Sequence, residues 1–160
     1  MIAPPVGRQE IIKTFGDVRA YIADDGIVSA AEESQFLVSL PVIYPMVYAY
    51  DHSKTIKTIM CHKLMVEPIT MALRSILDAK LTTKAIYYGG CYQFRSKRTS
   101  GNLSTHCWGI AIDLNPETNQ MGTKGDMDMG VVEIFEGLGW TWGGRWKVKD
   151  AMHFQYCSGY

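Results

Sequence analysis

Two histidines and two aspartates in the C-terminal half have the types and spacing of a zinc hydrolase site. His106 precedes Asp113 by seven residues, and Asp150 precedes His153 by three. A catalytic zinc takes three protein ligands from His, Asp, Glu or Cys and leaves the fourth position to water, whose pKa falls to roughly 7. We expect His106, Asp113 and His153 to bind a Zn²⁺ ion, which leaves Asp150 free to move protons.

Helices that could support such a site are indicated by apolar residues that recur every three or four positions. The longest such segment runs from Thr55 to Ala79 and is predicted as the main core helix, with Pro68 as the site of any kink. Pro41 and Pro45 interrupt the region before it. The other predicted helices are residues 8–16, which end at Gly16, and a segment around Val131 and Leu138 with Asp126 or Asp128 as its N-cap.

Strands are predicted in three segments that alternate or are rich in aromatic residues, namely 85–94, 108–114 and 151–156. These strands place Asp113 at the end of one and His153 within another, so the ligands converge only on a small antiparallel sheet. Asp113 would share a face with Ala111 and Gly109, whose small side chains leave room for a metal and its substrate.

The sequence therefore predicts an α+β fold in which helices flank a small antiparallel sheet that carries the zinc site. We expect one domain over residues 1–160, with a helical part over about 1–80 and a zinc-site core over about 85–160.

Composition excludes several function classes. Sixteen basic residues balance sixteen acidic ones, so charge alone recruits neither nucleic acid nor an anionic membrane. The N-terminus lacks a signal-peptide pattern, and no apolar run is long enough for membrane insertion, so we expect synthesis in the cytoplasm. The four cysteines form no CxxC pair and are expected to be free thiols. We expect a monomer.

Three motifs carry a resemblance to a known family. They are SxHxxGxAxD at residues 104–113, WGG at 142–144 and DxMHFQ at 150–155. In this order they resemble the D-alanyl-D-alanine carboxypeptidase and L-alanyl-D-glutamate endopeptidase family, zinc peptidases of bacterial peptidoglycan that include VanY-type enzymes and phage endolysins. The resemblance implies a fold shared with Hedgehog amino-terminal domains and lysostaphin-like peptidases.

The resemblance also implies roles for individual residues. It gives His106, Asp113 and His153 as the zinc ligands and Asp150 as the general base. Carboxypeptidase-type members tend to have Glu at the base position, whereas the phage endopeptidases have Asp, so the resemblance favours an endopeptidase. Arg95 looks like the arginine that this family directs at the scissile carbonyl or the substrate carboxylate.

Each of these roles has a structural alternative. Arg95 could instead pair with a surface carboxylate, and Arg98 is the second candidate for its role. Ser104 could hydrogen-bond either the ligand loop or the substrate. Cys107 and His62 are expected to pack in the core, and His52 to lie on the surface. A tryptophan cluster could be core or could line the substrate groove, with Trp142 as the candidate substrate contact: Trp140, Trp142 and Trp146.

These observations predict a zinc metallopeptidase that hydrolyses amide bonds in the peptide stem of peptidoglycan. We expect a phage endolysin with L-alanyl-D-glutamate endopeptidase activity, which acts on the cell wall after its release from the host cytoplasm. Two alternatives remain open, a D-alanyl-D-alanine carboxypeptidase and a zinc-containing binding domain without hydrolytic activity. The free carboxylate of Asp150 argues against the binding domain, because a structural zinc site usually closes all four positions with protein ligands.

Overall fold

A mostly antiparallel sheet is the framework of the molecule. The computed structural model describes residues 2–22, 28–95 and 102–160, and across these ranges the sheet has six strands in the order β2-β1-β3-β4-β6-β5. Only the β1–β3 pair among them is parallel. The strands are β1 (Leu37–Tyr48), β2 (Asp51–His62), β3 (Tyr87–Gly90), β4 (Ala111–Leu114), β5 (Thr141–Trp142) and β6 (His153–Gln155). The helices are α1 (Gly7–Phe15), α2 (Ala30–Phe36), α3 (Val66–Asp78) and α4 (Met129–Gly137). The predicted α+β fold is confirmed.

The helix predicted over Thr55 to Ala79 is wrong in its first part, because residues up to His62 belong to β2. In β2 the buried Ile56 and Ile59 are three residues apart, as on a helix. The reason is an irregularity in β1, whose register with β2 shifts between Pro41 and Met46. Partners on either side of the shift, Ile59 with Leu40 and Ile56 with Met46, are all buried.

The N-terminal part is consequently not mainly helical. Two twelve-residue strands, β1 and β2, form a long hairpin within residues 1–80. The real helix α3 begins at Val66, so Pro68 lies in its first turn. The N–H groups of the first turn have no acceptor within the helix, so the missing N–H of Pro68 costs no helical hydrogen bond.

Near the candidate ligands the elements are shorter than predicted. Residues Thr105–Trp108 form a 3-10 turn, and β4 begins only at Ala111. Gly109 lies between them with φ of 65°, and a Cβ there would lie 2.8 Å from the backbone nitrogen of His62. Gly109 therefore permits the turn to pack closely against β2. The prediction that Gly109 shares a face with Asp113 is wrong, because Gly109 precedes β4. Helix α4 begins after Asp128, whose carboxylate accepts hydrogen bonds from Gly130 and Val131.

The hydrophobic core joins elements from both ends of the chain. It includes Ile11 of α1, Leu73 of α3 and Phe135 of α4, together with Phe154 of β6. Among the described residues, no helix has the length and apolar character needed to cross a membrane.

Candidate metal centre

Two neighbouring strands and one tight turn bring the three predicted ligands together. The antiparallel β4–β6 ladder places Asp113 directly opposite His153. His106 comes from the 3-10 turn, which begins where the Ser104 hydroxyl accepts a hydrogen bond from the His106 N–H. Asp113 Oδ1 lies 3.2 Å from His106 Nε2 and 3.0 Å from His153 Nδ1, and these two nitrogens lie 3.2 Å apart.

The tautomer of His106 follows from the hydrogen bond at its other nitrogen. His106 Nδ1 lies 2.7 Å from the carbonyl oxygen of Cys91, which can only accept a hydrogen bond. Nδ1 therefore carries the proton in the neutral ring, and the lone pair of Nε2 faces Asp113.

The tautomer of His153 follows from the side chain of Gln155. The Gln155 amide Nε2 donates to the carbonyl of Cys157, which turns its Oε1 toward His153 Nε2 at 3.2 Å. The Thr105 hydroxyl donates to the same Oε1. His153 Nε2 is thus the donor, and the lone pair of Nδ1 is directed at Asp113.

This donor set fits a metal ion. Three electron-pair donors converge within 3.2 Å, an arrangement that is repulsive unless a cation lies between them. A tetrahedral zinc ion with bonds of about 2.0–2.1 Å would separate its ligand atoms by roughly 3.3 Å. Hydrogen bonds from the second ring nitrogens to a carbonyl or amide oxygen are the usual way in which proteins orient histidine ligands.

The electrostatics of the cluster also favour a cation. Without a metal ion, protons on the histidine nitrogens that face Asp113 take the place of the cation. Burial alone would raise the pKa of Asp113, but the charges and hydrogen bonds of the protonated His106 and His153 outweigh burial and lower that pKa far below its usual range. Burial likewise disfavours a charged His153, yet the hydrogen bond that its protonated Nδ1 makes with Asp113 raises the pKa of His153. The carboxylate is held ionised, as a metal ligand must be.

Asp150 lies beside this cluster and is not one of its members. It occupies the turn before β6, where its backbone carbonyl accepts from the His153 N–H. Burial raises the pKa of Asp150, and the nearby Asp113 adds to that rise, while His153, His106 and Arg95 oppose it. Its Oδ1 is buried, and the described part of the chain offers this oxygen no hydrogen-bond partner. A carboxylate with a raised pKa and an uncommitted oxygen can exchange protons with a ligand in the cleft.

A cleft of about 960 Å³ exposes the centre to solvent. Asp113, His153 and Asp150 line it together with Arg95. The backbone of Arg95 is fixed by Cys107, whose thiol donates to the Arg95 carbonyl, and by the Ser104 N–H, which donates to the same oxygen. The positive charge of Arg95 acts on Asp150, whose pKa it lowers. The second candidate, Arg98, lies outside the described residues.

The tryptophans divide between core and cleft. Trp142 is 9% exposed, donates its indole N–H to the Ala151 carbonyl and stacks on Phe154, so its position is in the core. Trp146 lines the cleft with its ring centroid 5.5 Å from that of His153. Within the described residues, Trp146 is therefore the better placed of the two to contact a substrate.

Sequence reasoning missed Thr105 and Gln155. Gln155 ends the DxMHFQ motif and lies two residues after His153 on the same strand, so the alternation of β6 could have indicated that both side chains share a face. Nothing in the sequence spacing indicated that Thr105, adjacent to His106, would reach the same amide oxygen.

The comparison with known proteins points to the same segment. The family model for D-alanyl-D-alanine carboxypeptidase matches residues 97–156, which include His106, Asp113, Asp150 and His153. No curated protein and no solved structure matches the chain. The part of the chain that holds the candidate metal centre is therefore similar to the D-alanyl-D-alanine carboxypeptidases, and this similarity supports a zinc peptidase that acts on peptidoglycan.

Proposed function

We propose that this protein is a zinc endopeptidase that cleaves the peptide stem of bacterial peptidoglycan, with the L-alanyl-D-glutamate bond as its target. The observation that carries the proposal is the convergence of His106, Asp113 and His153 at a cleft that Asp113, His153 and Asp150 line. Among the described residues, the buried Oδ1 of Asp150 has no hydrogen-bond partner. The motif resemblance supports the further proposal that the protein is a phage endolysin, which acts on the cell wall from the host side.

The proposed chemistry divides between the metal and the protein. A zinc ion held by the three ligands would polarise the scissile carbonyl and lower the pKa of a water molecule toward neutrality. Asp150 would accept the proton of the attacking water and deliver it to the leaving amine. Arg95 would stabilise the negative charge that develops on the carbonyl oxygen, which is worth about 3 kcal/mol for one well-placed donor.

Two features favour an endopeptidase over a carboxypeptidase. The base position holds Asp150, which the motif resemblance associates with the phage endopeptidases. In addition, residues that line the cleft lie on both sides of the metal centre, on β5 at Thr141 and beside β3 at Pro116. A carboxypeptidase needs a binding site that ends close to the cleaved bond.

The alternative is a D-alanyl-D-alanine carboxypeptidase, the description of the family model that matches residues 97–156. Arg95 favours this alternative, because a guanidinium in the cleft could bind the free terminal carboxylate of the substrate.

Mass spectrometry of purified peptidoglycan digested with the zinc-loaded protein separates these functions. We expect new products that begin with D-glutamate and end with L-alanine, and none after treatment with a chelator. Loss of terminal D-alanine would instead establish the carboxypeptidase. Absence of any metal-dependent product from several wall chemotypes would contradict both.

A further inference from the structure

The cleft extends along the sheet from one strand to the next. Its floor contains one residue from each of five neighbouring strands or their ends, and these occur in the order of the sheet. The residues are Ala49 after β1, Gly89 of β3, Asp113 of β4, His153 of β6 and Thr141 of β5. A ligand in this cleft must therefore be elongated across the strands.

The spacing of strands gives the length of this ligand. Neighbouring strands are about 4.8 Å apart, so five strands span roughly 19 Å, which is the length of five or six residues of extended peptide. The metal centre lies between β4 and β6. Two strand spacings, about 10 Å, separate β4 from β1, so the end of the cleft at β1 is about three residues from the reacting bond.

One charged side chain of the cleft has no part in the proposed reaction. Among the described residues that line the cleft, Asp113 and His153 are assigned to metal binding, Asp150 to proton transfer and Arg95 to charge stabilisation. Glu117 also lines the cleft and has none of these roles. Glu117 follows β4 on the side of the cleft toward β1. His52 Nε2 lies 3.4 Å from the Glu117 carboxylate, and the His52 ring stacks on Tyr87 with ring centroids 4.4 Å apart.

An exposed aromatic ring lines the same cleft, two residues before the His52 that pairs with Glu117. Tyr50, in the turn between β1 and β2, is 76% exposed and lines the cleft, and its ring lies 5.0 Å from that of Tyr48. A carboxylate beside an exposed aromatic face is the combination that binds an ammonium group, through charge and through the cation–π interaction.

We propose that Tyr50 and Glu117 form a distal subsite that selects peptides with an amine-bearing side chain about three residues from the cleaved bond. The proposal rests on the proposed function, because that function defines the cleaved bond. It assigns to the β1–β2 turn the recognition of an ammonium group on the substrate, whereas the metal centre performs the cleavage.

The test uses synthetic peptides that each carry one lysine, placed in turn at every position within three residues of the cleaved bond. Each peptide is compared with a matched peptide that has Nε-acetyl-lysine at the same position. We expect the zinc-loaded wild type to prefer the free amine fivefold or more in kcat/KM, at one position near the end of the range. Glu117→Gln and Tyr50→Ala should each reduce this preference, and Glu117→Gln should bring it close to one.

The control is Glu133→Gln, the same change at an exposed residue of α4, which should keep the wild-type preference. Equal rates for the free and acetylated peptides in the wild type would overturn the proposal. So would a preference that Glu117→Gln retains.

A binding measurement separates failure of the subsite from failure of the proposed function. Fluorescence anisotropy of labelled peptides with the zinc-loaded Asp150→Ala protein does not require cleavage. Tighter binding of the peptide with the free amine supports the subsite if this preference is lost in the Asp150→Ala, Glu117→Gln double variant. If the wild type cleaves no peptide, that result contradicts the proposed function but leaves this evidence for the subsite intact. Equal binding of both peptide forms overturns the subsite while leaving cleavage of the stem unaffected.

Discussion

The direction of the lone pair on each histidine of the candidate metal centre is set by residues outside the predicted ligand set. Cys91 fixes His106 through a backbone carbonyl, and Gln155 fixes His153 through an amide oxygen. The types and spacing of His106, Asp113 and His153 sufficed to predict that these three side chains converge. Their hydrogen-bond partners could not be predicted in the same way. A backbone carbonyl has no sequence signature, and a glutamine such as Gln155 is also frequent on protein surfaces.

Replacement of Asp150 by Asn should abolish most hydrolysis and leave metal binding intact. The amide cannot accept the proton of the attacking water, so we expect the rate of stem-peptide cleavage to fall by about 10²–10⁴-fold. Elemental analysis should still find one zinc per chain. Asp78→Asn on the exposed side of α3 is the control and should behave as the wild type. Unchanged cleavage by Asp150→Asn would refute the assigned base.

Replacement of Gln155 by Leu should weaken metal binding. Leucine removes the oxygen that receives the His153 Nε2 proton, so the ring is no longer held with Nδ1 toward Asp113. Loss of such a partner typically costs 10–100-fold in metal affinity. Competition with a chromophoric chelator measures this change, and Gln155→Glu, which keeps an acceptor oxygen, should recover most of the affinity. Equal zinc affinity for Gln155→Leu and wild type would show that Gln155 does not position His153.

At the scale of elements, the β1–β2 hairpin is the feature that the sequence pattern failed to predict. The three-residue spacing of the buried Ile56 and Ile59 results from the irregular register of the partner strand β1 between Pro41 and Met46. A local sequence pattern in β2 carries no information about that partner strand. The strands β4 and β6 lie within the longer segments predicted for them, and α4 lies where its apolar residues and an aspartate cap, Asp126 or Asp128, predicted a helix, because these are local signals.

Gly109 is where the turn that carries His106 contacts β2. Gly109→Ala should lower the free energy of unfolding by about 3 kcal/mol or more, because it adds strain at a positive φ and a contact with the His62 backbone. The matched control is Gly122→Ala. Gly122 also has a positive φ, 86°, but no atom lies within 4 Å of its added Cβ, so about 1 kcal/mol is expected. Urea unfolding measures both, and equal losses would contradict the close packing at Gly109.

At the scale of the whole molecule, hydrogen bonds join the N-terminal part to the half that carries the site. The Gly7 N–H donates to the Ser158 carbonyl, and the Trp108 indole N–H donates to the Gly16 carbonyl. His62 adds a third connection, since its backbone N–H donates to the Gly109 carbonyl. Within the N-terminal part, the His62 side chain donates from Nε2 to the Phe15 carbonyl and accepts at Nδ1 from the Leu64 N–H.

His62 should make the stability of the fold depend on pH. Burial lowers the pKa of His62 to about 4, from about 6.5 in the unfolded chain. The unfolded state therefore takes up the proton first, and the stability due to neutral His62 is complete above pH 6.5 and lost as the pH falls toward 4. The loss amounts to about 3 kcal/mol.

Urea unfolding of the metal-free protein between pH 4 and 7 measures this dependence. The difference in unfolding free energy between wild type and His62→Gln cancels the contribution of the metal ligands. Between pH 4 and 6.5 we expect the unfolding free energy of the variant to change less steeply with pH, by about 1.4 kcal/mol per pH unit, which corresponds to one proton. Parallel stability curves for the two proteins would contradict the buried, neutral state of His62.

The central claim, that His106, Asp113 and His153 hold the zinc ion on which peptidoglycan cleavage depends, is tested most directly by a zinc titration of the metal-free protein. The measured quantity is the number of new amine ends released from purified peptidoglycan at each zinc concentration. We predict that release rises in proportion to added zinc and saturates at one equivalent per chain. Release by the metal-free protein, or none at saturating zinc, would contradict the account.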